Sequence, residues 1–262
     1  MGIVTLTTDF GSLYPASMKG VILSIDENAK IVDISHSIPQ ADIRAAAFAL
    51  FTVVEYFPKG TVHIAVVDPG VGTDRKAIVI HSGGHYFVGP DNGLMMPAAR
   101  KLGKIDVFEI GHESLPDDIS ATFHGRDVFA RVGAHIVKGL DVQKLAHGTD
   151  DFVDLAFHHA HVSNDVVSAE VLYIDDFGNI VINVPAEVIM GISSFGTTFD
   201  LDGMDVPFMD TYARTDPGSL LFLVGSHGYL ELAINQGNAA QMLGLHNGAR
   251  MSITLPIIEK SK

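Results

Sequence analysis

With 262 residues, 47% of them hydrophobic, and a mean hydropathy of +0.27, the chain can fill one large domain or two medium ones and is too apolar for disorder. A formal net charge of −14 disfavours broad contact with nucleic-acid phosphates or anionic lipid, which need a basic surface, and leaves a neutral or cationic small ligand as the better fit. The absence of cysteine excludes disulfides and thiolate chemistry, and with no basic leader before Ile3 and no apolar run longer than Ala45 to Val54, a soluble cytoplasmic protein is expected.

Ile3-Val-Thr-Leu-Thr-Thr8 reads as a first strand that ends on Asp9-Phe10-Gly11. Met18, Val21, Ile22 and Ile25 fall on one face of a following helix, and Lys30 to Ile34 makes a second strand ended by His36-Ser37. Ala41 to Phe57 reads as a buried helix, stopped by Pro58-Lys59-Gly60. Val62 to Val67 is a buried strand, and Ala77 to Ile80 is the next one. This β-α-β-α-β alternation predicts right-handed crossovers and a mainly parallel sheet covered on both faces. A Gly83-Gly84 turn, a strand His85 to Val88, a short helix to Leu102, a strand Ile105 to Ile110 and a helix Val128 to Val137 follow.

Between 139 and 165 no period is sustained, which places a domain boundary there. Beyond it come short β runs: Val166 to Ile174, Ile180 to Val184, Ser219 to Val224, Tyr229 to Ile234 and Arg250 to Ile257. Short strands punctuated by Gly, Pro and Asn predict a small barrel or sandwich.

The segment from 68 to 75 is the richest in chemistry. Asp68 leaves the carboxyl end of a buried strand, where open α/β sheets place their ligands, and Pro69, Gly70 and Gly72 shape the bend that returns Arg75. A salt-bridged turn accounts for these residues as well as a site does. Asp9, Asp68, Arg75 and His124 all sit at strand ends or helix starts of one sheet, so one crevice can collect them, although a histidine at a helix start also serves as a cap. Other motifs carry less. Asp9-Phe-Gly11 lacks the companion motifs of a kinase, and Gly70-Val-Gly72 lacks the Gly-Lys-Ser/Thr ending of a phosphate loop. His158, His159 and His161 have no clear fourth partner for a closed metal site and read as a polar linker.

Taken in order, Thr8-Asp-Phe-Gly11, Met18-Lys-Gly20, Val32-Asp-Ile-Ser-His-Ser37, Val67-Asp-Pro-Gly-Val-Gly72 with Arg75, Pro90-Asp-Asn-Gly93, Phe123-His-Gly-Arg-Asp127, Asp175-Asp-Phe-Gly-Asn179 and Ser226-His-Gly-Tyr-Leu-Glu231 resemble the S-adenosyl-L-methionine hydroxide adenosyltransferases, relatives of the fluorinases and chlorinases. The resemblance implies an α/β domain over 1–155, a linker over 156–164 and a β-barrel over 165–262. It implies a homotrimer with sites between subunits and hydrolysis of S-adenosyl-L-methionine to adenosine and L-methionine, with no cofactor and no metal. Asp68, Arg75 and His124 match the family's catalytic triad. Asp9 matches the carboxylate that holds the ribose hydroxyls, Phe10 beside it is a further substrate-binding position, and Asp175 and Asn179 match contacts to methionine and adenine. Ser226 and Glu231 lie in a further matching segment. The segment Ser12 to Ser17 is shorter than in many members, and no halogenase insertion stands between Asn92 and Ile110, which favours water over halide. Two other readings use the same residues: a binding-only sensor of S-adenosylmethionine or adenosine, and a metal-dependent hydrolase.

Overall fold

The structure, a computed structural model, describes residues 2–158, 160–163 and 165–256. It divides into two compact units, Met1–Ala156 and Phe157–Lys262.

The first unit is built on β1 (Ile3–Thr8), α1 (Tyr14–Ile25), β2 (Lys30–Ser35), α2 (Ile43–Val53), β3 (Val62–Val66), β4 (Ala77–Ser82), β5 (His85–Pro90), α3 (Met96–Leu102), β6 (Ile105–Ile110), α4 (Ala130–Val137) and β7 (Ala146–Gly148). Its sheet runs β2-β1-β3-β5-β4-β6-β7. The first three pairings are parallel, β2 with β1 and β1 with β3 through helices and β3 with β5 through the intervening strand β4, whereas β5 to β4, β4 to β6 and β6 to β7 are antiparallel. Gly83 and Gly84, at φ of 59° and 87°, explain the change of direction. A two-residue connection with both residues at positive φ is a hairpin, and a parallel return needs a much longer crossover.

β1 lies between β2 and β3, so the chain leaves it to one side and later returns on the other. Thr8 pairs with Val66, and Asp9 and Asp68 therefore emerge side by side from adjacent strand ends. This is the switch point at which open α/β sheets form a crevice. α4 packs tightly beneath: a Cβ at Gly133 would stand 2.6 Å from Ile64 Cδ1.

Two helices differ from the sequence reading. α2 starts later than Ala41, which sits at φ 60°, because the Asp42 side chain accepts from Ala45 N at 2.9 Å and caps the helix there. It ends in one tighter turn, Val54–Tyr56. The helix expected from Val128 begins instead as a single wide π turn, Gly125–Phe129, that runs into α4. Such turns are rare and cluster at functional sites.

Thr5, His63 and His85 form a polar chain inside this sheet, with Thr5 Oγ1 2.8 Å from His63 Nδ1 and His63 Nε2 3.2 Å from His85 Nδ1. Burial first, and His85 second, push the fully buried His63 imidazole from 6.5 down to about 3. The unfolded chain thus takes up a proton at His63 as pH falls below 6.5, while the folded chain does not until about 3. Folding stability is complete above that window and is lost within it at up to about 1.4 kcal/mol per pH unit. Thermal unfolding followed from pH 7 to pH 3 is expected to give a steeper acid loss in the parent chain than in His63→Gln; equal slopes would rule this source out.

The second unit holds β8 (His161–Ser163), β9 (Val166–Ile174), β10 (Ile180–Pro185), α5 (Ala186–Ile192), β11 (Thr198–Leu201), β12 (Met204–Pro207), β13 (Leu220–Val224), β14 (Tyr229–Ile234), α6 (Ala239–Leu243) and β15 (Arg250–Thr254). The end of the last expected strand, Ile257, lies outside the described residues. The pairings between these described strands are antiparallel, in the order β12-β11-β15-β9-β10-β14-β13 with β8 against β9, and only the bridge that joins the two ends is parallel among the described residues. The two ends of this order meet: Phe208, just past β12, bridges to Phe222 of β13, and Met209 N donates to Phe222 O at 2.8 Å. A nearly closed barrel results, filled by Phe199, Phe208 and Phe222, with the Phe199 ring 5.3 Å from that of Phe208 and 5.4 Å from that of Phe222. Closure leaves few free strand edges.

Candidate active site

Arg75 joins the residues singled out in the first unit. Its Nε donates to both oxygens of Asp68 at 3.0 and 3.1 Å, and its Nη2 donates to Asp68 Oδ2 at 2.5 Å. The second hydrogen of Nη2 serves His124 Nδ1 at 2.7 Å. The Asp68 side chain is 5% exposed and that of Arg75 13%, and the guanidinium lies 5.2 Å above the ring of Phe129. A paired charge over an aromatic face in a dry setting keeps one geometry.

The loop that delivers this pair is tightly wound. Val71 N donates to Asp68 O, and both the amide and the hydroxyl of Thr73 donate to Gly70 O. Gly72 stands at φ +78°, and a Cβ there would lie 2.7 Å from Ala121 O, so glycine lets the loop touch the segment that carries His124. That segment is held in turn by Asp127, whose carboxylate accepts from Ser120 N at 3.0 Å and from Arg126 Nε at 2.7 Å.

The charge state of His124 follows from its partner. Arginine only donates, so Nδ1 is an acceptor and the proton of the neutral ring is on Nε2. Burial, and then Arg75, hold the imidazole below its ordinary value, while Asp68 and Asp127 pull the other way. His124 is therefore a neutral ring whose Nε2–H is free to donate. A cleft of about 460 Å³, bordered by Gly72, Arg75, Glu109, Leu115, His124 and Val128, reaches this group.

Asp9 and Phe10 arrive beside it. Asp9 Oδ2 accepts from Ala41 N at 2.9 Å, and the Phe10 ring meets Phe123 edge-on at 5.5 Å, one residue before His124. A Cβ at Gly125 would lie 2.8 Å from Phe10 Cε2, so this contact too depends on a glycine.

In the second unit Asp175 and Asn179 are joined. The Asp175 carboxylate accepts from Phe177 N at 2.9 Å, Asn179 N at 2.8 Å and Asn179 Nδ2 at 3.0 Å. Its acceptors are thus engaged by its own turn, which presents Phe177, 77% exposed, at the surface. Asn179 lines a cleft of about 510 Å³ with Phe177, Tyr212, Ile234, Gln236 and Gly237. Glu231 is buried and accepts from Tyr212 Oη at 2.6 Å, with His227 Nε2 at 3.1 Å. Burial, and then Glu231, push the Tyr212 phenol up. Ser226 is exposed and joins none of these groups. Tyr212 and Gln236 were not legible as cleft residues, because no strand or helix period surrounds them.

His158 and His161 line a separate groove with Glu170, Asn183 and Arg250, and His159 lies outside the described residues. Among the described residues no group of three or more His, Asp or Glu is placed to hold a metal ion. No described helix is long and apolar enough to cross a membrane.

Residues 4–146 match the SAM hydroxide adenosyltransferase N-terminal domain, and residues 169–252 match the C-terminal domain. The chain is 37% identical over 262 residues to a protein named (R)-S-adenosyl-L-methionine hydrolase from Methanocaldococcus jannaschii, covering 94% of this chain and 93% of that one. It is 34% identical over 257 residues to one of the same name from Salinispora tropica, covering 96% and 97%. A fluorinase from Actinoplanes sp. is 25% identical over 292 residues, covering 96% and 97%. A crystal structure of a conserved protein from Thermotoga maritima superposes with a TM-score of 0.89 at 34% identity, covering 96% of this chain and 99% of that one. Both halves are matched in order and over most of their length, and the protein belongs to the SAM hydroxide adenosyltransferase family.

Proposed function

We infer that this protein hydrolyses S-adenosyl-L-methionine at C5′ to adenosine and L-methionine, and that its substrate is the (R) sulfonium epimer named for its relatives. The observation that carries the reading is the Asp68–Arg75–His124 group, a carboxylate and a neutral imidazole held on the two sides of one guanidinium.

The chemistry suits the charge arrangement. A sulfonium becomes a neutral thioether when C5′ is attacked, so a developing positive charge moves from sulfur to the entering oxygen, and a dry crevice with a carboxylate favours that movement. Free hydroxide is not required. Generating it at pH 7 from water of pKa 15.7 costs about 12 kcal/mol, at about 1.36 kcal/mol per unit. Water instead attacks as water: its oxygen bonds C5′, the C5′–S pair returns to sulfur, and the strongly acidic oxonium loses its proton. Asp68 is the acceptor in this scheme, since a carboxylate keeps lone pairs beyond those Arg75 occupies. His124 is a poor acceptor, because its Nδ1 is committed to Arg75 and its Nε2 already carries a proton. Its Nε2–H orients the water. Asp9 and Phe10 hold the ribose, and Asn179 and its cleft hold another part of the substrate. A homotrimer is part of the reading, and light scattering should return three times the 28.1 kDa chain mass.

Incubation with an epimer mixture of S-adenosylmethionine in water enriched in oxygen-18 tests the reaction. Adenosine labelled at the 5′-hydroxyl, methionine, and residual (S) epimer are the expected contents of the chromatogram. S-adenosylhomocysteine, methylthioadenosine, or unlabelled adenosine would each point to a different bond-breaking step and sink the reading. Binding without any product would leave the sensor instead.

A further inference from the structure

The Asp9–Gly11 turn is tied to the far end of β2 by a line of side chains that the reaction itself does not use. Lys19 Nζ donates to Asp33 Oδ2 at 2.5 Å, and His36 Nε2 stands 3.1 Å from Asp33 Oδ1 in an electrostatic contact that does not form a hydrogen bond. His36 Nδ1 is 2.9 Å from Thr8 Oγ1, and Thr8 Oγ1 accepts from Phe10 N at 3.3 Å. The backbone repeats the link, with Gly11 N donating to His36 O at 2.9 Å. Thr8 is fully buried, and the His36 side chain is 15% exposed.

The charge at the outer end biases the polarity of the line. An ionised carboxylate accepts only, so Asp33 favours the His36 tautomer with its proton on Nε2. Nδ1 of that tautomer is an acceptor and takes the Thr8 hydroxyl hydrogen. The Thr8 oxygen then has its lone pairs turned to the Phe10 amide. In the other tautomer Nδ1–H would donate to Thr8 Oγ1, which can still accept from the Phe10 amide, but the hydroxyl hydrogen would lose His36 as its acceptor inside a fully buried site. The partner on Asp33 is an ammonium near the surface, so the setting is made at the outside of the unit and delivered to the turn.

We propose that the Lys19–Asp33–His36–Thr8 line is a positioning relay that orients the Asp9–Phe10 turn, so that Thr8 and His36 set the affinity for the nucleoside end of the substrate without touching it. The proposal rests on the reading of Asp9 and Phe10 as ribose-holding residues. It predicts that losing the relay weakens binding and leaves the chemical step in place, because Asp68, Arg75 and His124 are held by a different set of bonds.

The test compares Thr8→Val, which keeps shape and loses the hydroxyl, with Thr8→Ser, which keeps the hydroxyl. Calorimetry with adenosine and steady-state kinetics with S-adenosylmethionine are measured on both. Thr8→Val should raise the adenosine Kd and the KM together by about tenfold with kcat changed less than about threefold, the loss of one oriented hydrogen bond, whereas Thr8→Ser should match the parent. His36→Asn, whose side-chain oxygen can stand in for Nδ1, should fall between the parent and His36→Ala. A merely structural role gives a different pattern: lower unfolding temperature with unchanged Kd, and no rescue by Thr8→Ser. That pattern, or a fall in kcat at constant KM, overturns the relay. Should Thr8→Val fail to fold, the partly exposed Asp33→Asn carries the same measurement, with a smaller rise in Kd expected and none overturning it. Asp9→Ala separates the two claims. If it leaves adenosine binding intact, the ribose reading is wrong whatever the relay does; if it abolishes binding while Thr8→Val is silent, the relay alone is wrong.

Discussion

Asp68→Asn is expected to lower kcat by between roughly a hundredfold and ten-thousandfold, the range of a positioned proton acceptor, with little change in the KM for S-adenosylmethionine. The amide has nearly the same shape, but it cannot take the proton of the attacking water, and its NH2 face opposes the Arg75 donors that now reach Asp68 at 2.5 to 3.1 Å. Arg75→Lys should be nearly as severe. An ammonium cannot serve Asp68 through two nitrogens and His124 at once, and without that donor the imidazole is released from the tautomer that leaves Nε2–H pointing outwards. His124→Ala should cost less, since it removes a hydrogen-bond donor to water and not the acceptor. Because the three groups share one guanidinium, the Asp68→Asn/His124→Ala pair should be little worse than Asp68→Asn alone. Single-turnover rates of adenosine formation measure all four. Losses that multiply, or an Asp68→Asn variant near parental rate, would show that the group does not act as a unit.

Phe129→Ala should produce the largest loss of stability, about 3 to 5 kcal/mol by urea unfolding, because it empties the place of a fully buried ring. The ring packs in the core with Val4, Leu6, Ile64 and Val132, which ties β1, β3 and α4 together. It also forms the floor beneath the Arg75 guanidinium, 5.2 Å away. Phe129→Leu separates the two roles. It refills most of the volume and should recover most of the stability, yet it offers the guanidinium no aromatic face, so kcat should remain depressed while the unfolding midpoint returns. Parental stability in Phe129→Ala would contradict the packing. Recovery of kcat together with stability in Phe129→Leu would mean that the ring matters only as volume.

The parts of this protein that can be read directly are those where the local residue pattern and the final environment coincide. Ile3 to Thr8 and Val62 to Val66 are β-branched runs, and both are buried strands, so Asp9 and Asp68 follow at strand ends as expected. Gly83-Gly84 announces a turn and makes one. The barrel's longer strands are equally plain. What escapes the pattern is short or irregular: β7 and β8 are three residues each, too brief for a period, and α5 begins at Ala186 after a proline that reads as a strand end. The wide turn at Gly125–Phe129 has no sequence mark, and at its first residue only a glycine leaves room for the rings of Phe10 and Phe123.

The sequence by itself therefore determined an α/β half followed by a β half, the strand-end placement of Asp9 and Asp68, and the set of residues from which a site would be drawn. Only the tertiary structure decided how they combine. Arg75 and His124 are 49 residues apart, and nothing local dictates that one guanidinium nitrogen should serve both His124 and Asp68. That pairing depends on Gly72 meeting Ala121, a contact between loops. The same holds for Asp175, which looks like a free acidic side chain after a strand and is turned inward by three donors of its own loop. Residue periodicity records which face of an element is buried, since burial is repeated along the element. A hydrogen-bond partner across the fold is chosen once, by strand order and close packing, and leaves no repeat to be read.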